Sequence, residues 1–375
     1  RTFDDRKTFE LFAAGDTAGV FQFESGGMKQ LLRQLGPDRF DDLIALNALF
    51  RPGPLGAGMG TTYVERRHGR EPVTYMFPDL EPILAPTYGV IVYQEQVMQI
   101  ASLIAGYSLG EADMLRRAMG KKDKEKMAKE KTKFIEQGAT RGYDRSKVAE
   151  LFDLIEFFAG YGFNKSHSAA YAMVAYETAY LKANFPVEFM AGLLSTKSGR
   201  TDDVAKYVQN CRERGIDVLG PDINESTLDF TATSDRQIRF GFAAVKGLGD
   251  AALQAILEAR QAEGRFKDLF HALKSTDLQK ANRKVWESLI KAGAFDSLEP
   301  NRAALLQGLP DAVSAASRGS EDTGMMSLFD DAEMAYGYRY LAHLTRFVID
   351  LYLYGDPDTP TFLPVQDAPG EKTLG

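Results

Sequence analysis

The chain has 375 residues, of which 44% are hydrophobic, and its formal net charge is −7 at pH 7. This length and composition indicate a globular protein with two or three domains. The single cysteine, Cys211, excludes an internal disulfide framework and favours a reducing compartment, so a cytoplasmic protein is expected. No apolar run reaches the ~20 residues of a membrane span, and no membrane partner is expected. Because residue 1 is arginine, the chain is expected to be a piece of a longer protein.

The first 50 residues predict a short β-favouring run at 16–25 and two helices. The second helix ends at the rigid breaker FRPGP (50–54), which fixes the backbone around Arg51. Two interpretations of Arg51 stay open. It is either a contact to phosphate or template, or an ordinary surface or C-cap arginine.

Residues 88–96 predict a short strand that runs into a helix, and a second helix follows a glycine break at 106–110. Ser108 and Glu111, three residues apart, form a capping-box pattern at the start of this second helix. The same helix carries Arg116 and Arg117 and is expected to end at Gly120.

A basic stretch within this acidic chain is the strongest local signal. From 116 to 133 there are nine Lys or Arg residues and three acidic ones. A solvated helix face is the usual explanation of such a run. However, Arg116 and Arg117 are adjacent, so at least one lies near the apolar face and needs an anionic partner. The favoured partner is a polyphosphate, since a guanidinium fork matches phosphate geometry.

A second cluster of hydrogen-bond donors stands at 164–167, directly after the glycine-containing turn 159–162 and before an apolar helix. Asn164, Lys165 and His167 therefore collect at a helix N-terminus, where the helix dipole favours an anion. His167 alone would be interpreted as a satisfied structural histidine. Together with Lys165 and the turn, it favours phosphate or nucleotide contact.

Five motifs occur in an order that is typical of one family. They are GVFQ (19–22), ALFRPGP (48–54), YQEQVM (93–98), LRRAMGKK (115–122) and AGYGFNKSHS (159–168). Together they resemble the fingers region of the bacterial DNA polymerase III alpha subunit, a C-family polymerase. The resemblance extends from about residue 3 to about residue 310.

The resemblance implies a mainly α fold with short β segments, in which fingers (1–225) precede a tandem helix-hairpin-helix module (226–310). It implies that a DNA-directed DNA polymerase is the parent protein, with deoxynucleoside triphosphates, primer-template DNA, the sliding clamp and other replicase subunits as partners. The residues expected to bind the nucleotide are Arg116, Arg117, Lys121, Lys122, Lys165 and His167. Arg51 and Asn164 are expected to contact DNA.

Catalysis in this family needs Mg²⁺ held by aspartates of the palm, a domain that precedes the fingers. Asp4-Asp5 and Asp41-Asp42 are paired carboxylates, but adjacent aspartates at helix starts are usually caps. No catalytic residue and no metal ligand is therefore assigned, and the chain alone is expected to bind without catalysing.

Residues 201–310 read as a separate module. A helix is expected at 203–214, a strand at 238–242, and a turn at Lys246-Gly247-Leu248-Gly249 before another helix. This turn resembles a helix-hairpin-helix motif, in which exposed backbone N–H groups meet a DNA phosphate, so Lys246, Gly247 and Gly249 are expected to contact DNA. Residues 282–295 resemble the second copy, without the Gly-x-Gly pattern.

The C-terminal part is expected to be a linker at 311–335, rich at first in Ala, Ser, Gly and Asp, followed by an aromatic-rich tail (336–375) without assignment. Leu328-Phe329 match the end of the family's clamp-binding peptide, but Met325 stands where glutamine is expected. These two residues either bind the clamp or tuck the linker onto the domain. The alternative for the whole chain is a stand-alone, non-catalytic DNA-binding or clamp-associated protein.

Overall fold

The computed structural model describes residues 2–121, 124–159 and 162–317, with only the backbone described for 119–121, 124 and 159. The chain divides into two compact units, Arg1–Pro186 and Val187 onward. Among the described residues, the helices are too short or too polar to cross a lipid bilayer.

The first unit is helical. Its helices are α1 (Arg6–Ala14), α2 (Gly26–Leu35), α3 (Phe40–Leu49), α4 (Pro52–Gly56), α5 (Met59–Arg67), α6 (Glu81–Leu84), α7 (Gln94–Ala105), α8 (Leu109–Lys121), α9 (Lys124–Thr140), α10 (Arg145–Ala159) and α11 (Lys165–Asn184). Two apolar clusters hold these helices together. One lies where α11 packs on α1 and α3, and the other is formed by α7, α8, α9 and α10.

Side-chain caps fix where several of these helices begin. Asp5 and Ser25 accept hydrogen bonds from backbone N–H groups of α1 and α2. The predicted capping box is confirmed, because Glu111 accepts from the N–H of Ser108 (2.8 Å) and the Ser108 hydroxyl accepts from the N–H of Glu111 (3.3 Å). Helix α8 does not end at Gly120 as predicted but continues to Lys121.

Two predicted β segments of the first unit are wrong. Residues 16–25 form turns rather than a strand, since the Thr17 hydroxyl donates to the Phe23 carbonyl oxygen and closes the segment on itself. Residues 88–92 are not a strand either. The backbone N–H groups of Val92 (2.9 Å) and Tyr93 (3.0 Å) donate to the side-chain Oε1 of Gln96 instead of to a neighbouring strand.

The second unit combines helices with a small sheet. Its helices are α12 (Pro186–Thr196), α13 (Thr201–Glu213), α14 (Asp250–Glu263), α15 (Leu269–Ser275), α16 (Arg283–Ala292) and α17 (Arg302–Ser317), and its strands are β1 (Asp217–Leu219), β2 (Thr231–Ser234) and β3 (Gln237–Arg239). Strand β3 lies between the other two, parallel to β1 and antiparallel to β2. The predicted mainly α fold with short β segments is confirmed.

Buried apolar side chains of α14, α15, α16 and α17 form the core of the second unit. Trp286 is fully buried and donates from Nε1 to the carbonyl oxygen of Ala281 at 2.9 Å, so its polar atom is satisfied. Cys211 is buried on α13. Helix α17 continues to Ser317, beyond the predicted linker start at 311, with Pro310 inside it. Leu328 and Phe329 lie outside the described residues.

Candidate nucleotide and nucleic-acid interface

The N-terminus of α11 is locked by two side chains. Asn164 is the N-cap, and its Oδ1 accepts from the N–H of His167 at 2.8 Å. Glu95, at the start of α7, accepts from Asn164 Nδ2 through Oε1 (2.9 Å) and from the N–H of Lys165 through Oε2 (3.0 Å). A carboxylate therefore already occupies part of the positive end of this helix.

The two predicted arginines share one carboxylate. Asp113 Oδ1 accepts from Nε and Nη2 of Arg116 at 2.9 and 2.8 Å, and Asp113 Oδ2 lies 2.7 Å from Nε of Arg117. The hydrogen bond from Arg116 is the main reason that the pKa of Asp113 lies below its usual value. The Arg117 side chain remains 70% exposed, so an approaching anion can reach it.

Gln94 connects these two clusters. Its Oε1 accepts from Arg116 Nη1 at 3.3 Å, and its Nε2 donates to the carbonyl oxygen of Gly162 at 3.2 Å. The backbone of Tyr93 pairs with that of Phe163, immediately before the α11 cap. Consecutive residues of α7, Gln94 and Glu95, thus hold Arg116 and the start of α11 on one surface.

Arg51 lies beside the same turn. Its guanidinium carbon is 4.3 Å from the ring centroid of Phe163, a cation–π distance, and its Nε donates to the carbonyl oxygen of Ala48 at 2.8 Å. Burial lowers the pKa of Arg51. The hydrogen bond to Ala48 agrees with the interpretation of Arg51 as a C-cap arginine of α3. Its position next to Phe163 keeps the interpretation as a phosphate or template contact open.

The remaining predicted nucleotide contacts differ in how far the structure describes them. Lys165 is exposed, and its Nζ lies 5.4 Å from the ring centroid of Tyr93. The ring of His167 packs between those of Phe163 and Tyr171, at centroid distances of 5.5 and 4.2 Å. The side chains of Lys121 and Lys122 lie outside what the structure describes.

Part of the basic stretch is engaged within the first unit. Lys131 pairs with Asp153, and Lys133 Nζ lies 2.8 Å from Glu111 Oε1. The hydrogen bond from Lys133, followed by those from Ser108, lowers the pKa of Glu111 to about 2. These lysines tie α9 to its neighbours, so they are structural rather than available to a ligand.

The predicted hairpin of the second unit is an exposed turn before α14. Lys246, Gly247 and Gly249 are all exposed. In the described residues, the N–H groups of Gly247, Leu248 and Gly249 donate no hydrogen bond. Gly247 has φ +89°, a conformation that favours glycine, whereas Gly249 is in the β region and caps α14 without a side-chain hydrogen bond. Such a turn presents backbone donors to an anion.

The candidate interface offers no metal site. Across the ranges that the structure describes, His, Cys, Asp and Glu side chains form no group of three or more that could hold an ion. The Mg²⁺ that the resemblance implies is expected at palm aspartates and not at these residues, so no step through a metal is derived for them.

Two features of the interface were missed from the sequence. The Asp113 pairing has a local signal, because Arg116 and Arg117 follow it at i+3 and i+4, the spacings at which helical side chains meet. The contacts of Gln94 and Glu95 have none, since their partners lie 22 and about 70 positions along the chain.

The first unit thus carries Arg116, Arg117 and the start of α11 on one surface, and the second unit carries an exposed glycine turn. Residues 2–142 match the family model described as the bacterial DNA polymerase III alpha subunit finger domain, and residues 215–305 match that of the helix-hairpin-helix motif. The two matches, together with the relatives below, support assignment of the chain as a fragment of a DNA polymerase III alpha subunit.

Individual relatives agree with this assignment. The chain is similar to the DNA polymerase III subunit alpha of Escherichia coli (strain K12), with 49% identity over 335 residues, and to that of Haemophilus influenzae, with 50% identity over 329 residues. The protein of the same name from Pseudomonas aeruginosa is 44% identical over 390 residues. These matches cover 87%, 86% and 94% of this chain but only 29%, 28% and 33% of the relatives.

Proposed function

We propose that this chain is the nucleotide- and DNA-binding part of a DNA-directed DNA polymerase. In the proposal, the surface formed by Arg116, Arg117 and the start of α11 binds the triphosphate of an incoming deoxynucleotide. The family assignment and the sequence motifs support this role.

One observation carries the nucleotide part of the proposal. Gln94 and Glu95 hold the Arg116 guanidinium and the N-terminus of α11 on one surface. A triphosphate needs several donors at once, and a guanidinium fork beside a helix N-terminus would supply two of the strongest kinds in exchange for their present partners Asp113 and Glu95. Lys165 and His167 add side chains at the same end of α11, and Lys121 and Lys122 continue the basic run in the sequence.

The second unit is proposed to bind the DNA backbone. The N–H groups of Gly247 and Gly249 would donate to a phosphate oxygen, and the exposed Lys246 would add one charge. These contacts read backbone rather than bases, so this binding is sequence-independent. In the first unit, Arg51 and Asn164 are proposed as further DNA contacts, because both lie at the turn before α11.

The remaining parts of the proposal come from the family resemblance. Mg²⁺ would be held by palm aspartates of the parent polymerase, which works in the cytoplasm. The sliding clamp would bind through Leu328 and Phe329, and other replicase subunits would complete the assembly. The chain alone, with primed DNA, Mg²⁺ and nucleotides, is expected to extend no primer.

The nucleotide proposal is tested by calorimetric titration of dTTP into the chain, with thymidine as the ligand that lacks phosphates. Wild type is expected to bind dTTP and not thymidine. Arg116→Ala removes charge-assisted hydrogen bonds and should weaken dTTP binding by about 1.5–3 kcal/mol. Lys7→Ala, an equal change of charge at an exposed position on α1, is the control. Equal dTTP affinity in both variants would refute the proposed grip.

A further inference from the structure

The turn at residues 16–24 presents two side chains to solvent from a strained backbone. Phe21 is 37% exposed, and Gln22, also exposed, has φ +63°, which is uncommon for a residue other than glycine. Such conformations persist only where the surroundings enforce them, and they concentrate at functional sites.

A buried lysine of α11 enforces this turn. Lys182 is fully buried, and its Nζ donates to Asp16 Oδ1 at 3.0 Å and to the carbonyl oxygen of Ala18 at 2.9 Å. One helical turn earlier, the Thr178 hydroxyl accepts from the N–H of Phe21 at 3.2 Å. The first unit thus buries a charged side chain to hold an exposed phenylalanine against α11.

The Phe21 ring continues a row of aromatic rings along α11. Its centroid lies 5.4 Å from that of Tyr171, which is itself 36% exposed and 4.2 Å from His167. The next ring beside His167 is that of Phe163, and the Arg51 guanidinium lies over the Phe163 ring. We call Phe163, His167, Tyr171 and Phe21 the aromatic row. Partly exposed rings, with Arg51 and Lys165 at one end, suit a ligand with flat apolar faces and a negative backbone.

We propose that the aromatic row is a stacking surface for unpaired bases of the template strand. This inference rests on the proposed function, because the template overhang is the single-stranded part of primer-template DNA. Paired bases inside a duplex have covered faces, whereas every unpaired base offers a face to an aromatic ring. Phe21 and Tyr171 stack on the bases, and Arg51 and Lys165 attract the phosphates beside them.

The test compares two single-stranded oligonucleotides of equal length and charge, oligo-dT and an abasic strand, binding to the 375-residue chain by fluorescence anisotropy. Wild type is expected to bind oligo-dT more tightly. Phe21→Leu and Tyr171→Leu should each lower oligo-dT affinity roughly five- to a hundredfold and leave abasic affinity unchanged. Phe21→Trp should retain oligo-dT affinity.

Phe157→Leu is the matched control, because Phe157 is 55% exposed but lies on α10, outside the aromatic row. Folded Phe21 and Tyr171 variants with wild-type oligo-dT affinity would overturn the inference, as would equal losses for both strands. If dTTP binding and duplex binding persist in that case, only the stacking surface fails. Wild type that binds neither dTTP nor any DNA would instead refute the proposed function.

A wild-type experiment covers the case in which the leucine variants do not fold. Oligonucleotides carrying 5-iodo-deoxyuridine are irradiated on the chain, and cross-linked residues are identified by mass spectrometry. Cross-links at Phe21 or Tyr171 would support the inference. Cross-links confined to other residues would overturn it.

Discussion

Asp113 receives two hydrogen bonds from Arg116 on a single oxygen, Oδ1, at 2.9 Å from Nε and 2.8 Å from Nη2. Its other oxygen pairs with Arg117. One carboxylate therefore pairs with both arginines of the proposed triphosphate grip and leaves one positive charge uncompensated. In the proposed mechanism, a bound triphosphate competes with Asp113 for these guanidinium groups.

Because of this competition, Asp113→Asn is expected to change dTTP affinity in the opposite direction to Arg116→Ala. Removing the negative charge should raise dTTP affinity roughly two- to fivefold, as expected for a partly exposed ion pair. Asp153→Asn, which removes a carboxylate paired with Lys131, is the control and should leave dTTP affinity unchanged. A calorimetric titration measures both variants. A weaker Asp113→Asn complex would mean that Asp113 orients the arginines rather than competing for them.

Glu111 gives the first unit a pH-dependent contact. Its pKa is lowered from 4.5 to about 2 by hydrogen bonds from Lys133 and Ser108, so the folded state favours the charged form. A lowered pKa contributes stability that is fully present above pH 4.5 and is lost as the pH falls towards 2. Glu111→Gln should therefore melt below wild type at pH 6, with a gap that narrows as the pH falls towards 2.

Thermal melts at pH 6, 4 and 3 measure that gap. Glu188→Gln serves as the control, since Glu188 also lies in the first turn of a helix, α12. A Glu111→Gln gap that stays constant across these pH values would contradict the assigned ion pair.

Substituting Asp16 and substituting Lys182, the two members of a buried ion pair, are expected to lower the free energy of unfolding by different amounts. Asp16→Ala leaves the fully buried ammonium with one partner fewer and should cost about 2–3 kcal/mol of unfolding free energy. Lys182→Met fills the same space, and Asp16, which is 34% exposed, can be hydrated, so a cost below about 1.5 kcal/mol is expected. Urea denaturation measures both, with Asp4→Ala and Lys7→Met as exposed controls. Equal costs would contradict this account.

The glycine turn predicts a variant that separates binding from folding. Gly249→Asp places a good N-cap on α14 in a β-region conformation, so the second unit should remain folded. Its carboxylate would repel a phosphate at the turn, and duplex affinity should fall roughly tenfold. In contrast, Gly247→Ala should lower the melting temperature, because its φ is +89°.

Gly220→Asp carries the same change of charge, and an added Cβ atom there meets no described atom within 4 Å, so it is the control for Gly249→Asp. Lys246→Ala should reduce the slope of log K against log salt by about 0.9, the contribution of one phosphate. A folded Gly249→Asp variant with the duplex affinity of Gly220→Asp would leave this turn a structural element only.

Local patterns in the sequence predicted local structure well. The Ser108–Glu111 capping box, the helix N-terminus at Asn164 and the turn at Gly247 follow from residues within a few positions of one another. The predicted strands at 16–25 and 88–92 failed for a different reason. The residue types favour a strand in both, but side-chain hydrogen bonds close each segment on itself, between Thr17 and Phe23 and between Gln96 and Val92.

The candidate site was also predicted only in part. The motifs identified the cationic residues Arg116 and Lys165, but not the side chains that bring them to one surface. Gln94 on α7 contacts Arg116 on α8, and Glu95 on α7 contacts Asn164 at the start of α11. No spacing rule relates these pairs in the sequence. The row from Phe163 to Phe21 was equally hidden, because Phe21 meets α11 only after the chain has folded.

Quantitative lysine acetylation, read by mass spectrometry, tests in one measurement whether the first unit binds dTTP and the second binds duplex DNA. Lys165 and Lys246 are both exposed, so each should react in the free chain. Bound dTTP is expected to protect Lys165 from acetylation and to leave Lys246 reactive. Bound duplex DNA is expected to protect Lys246 from acetylation. Unchanged reactivity of Lys165 at saturating dTTP, or of Lys246 at saturating duplex, would contradict the proposed function.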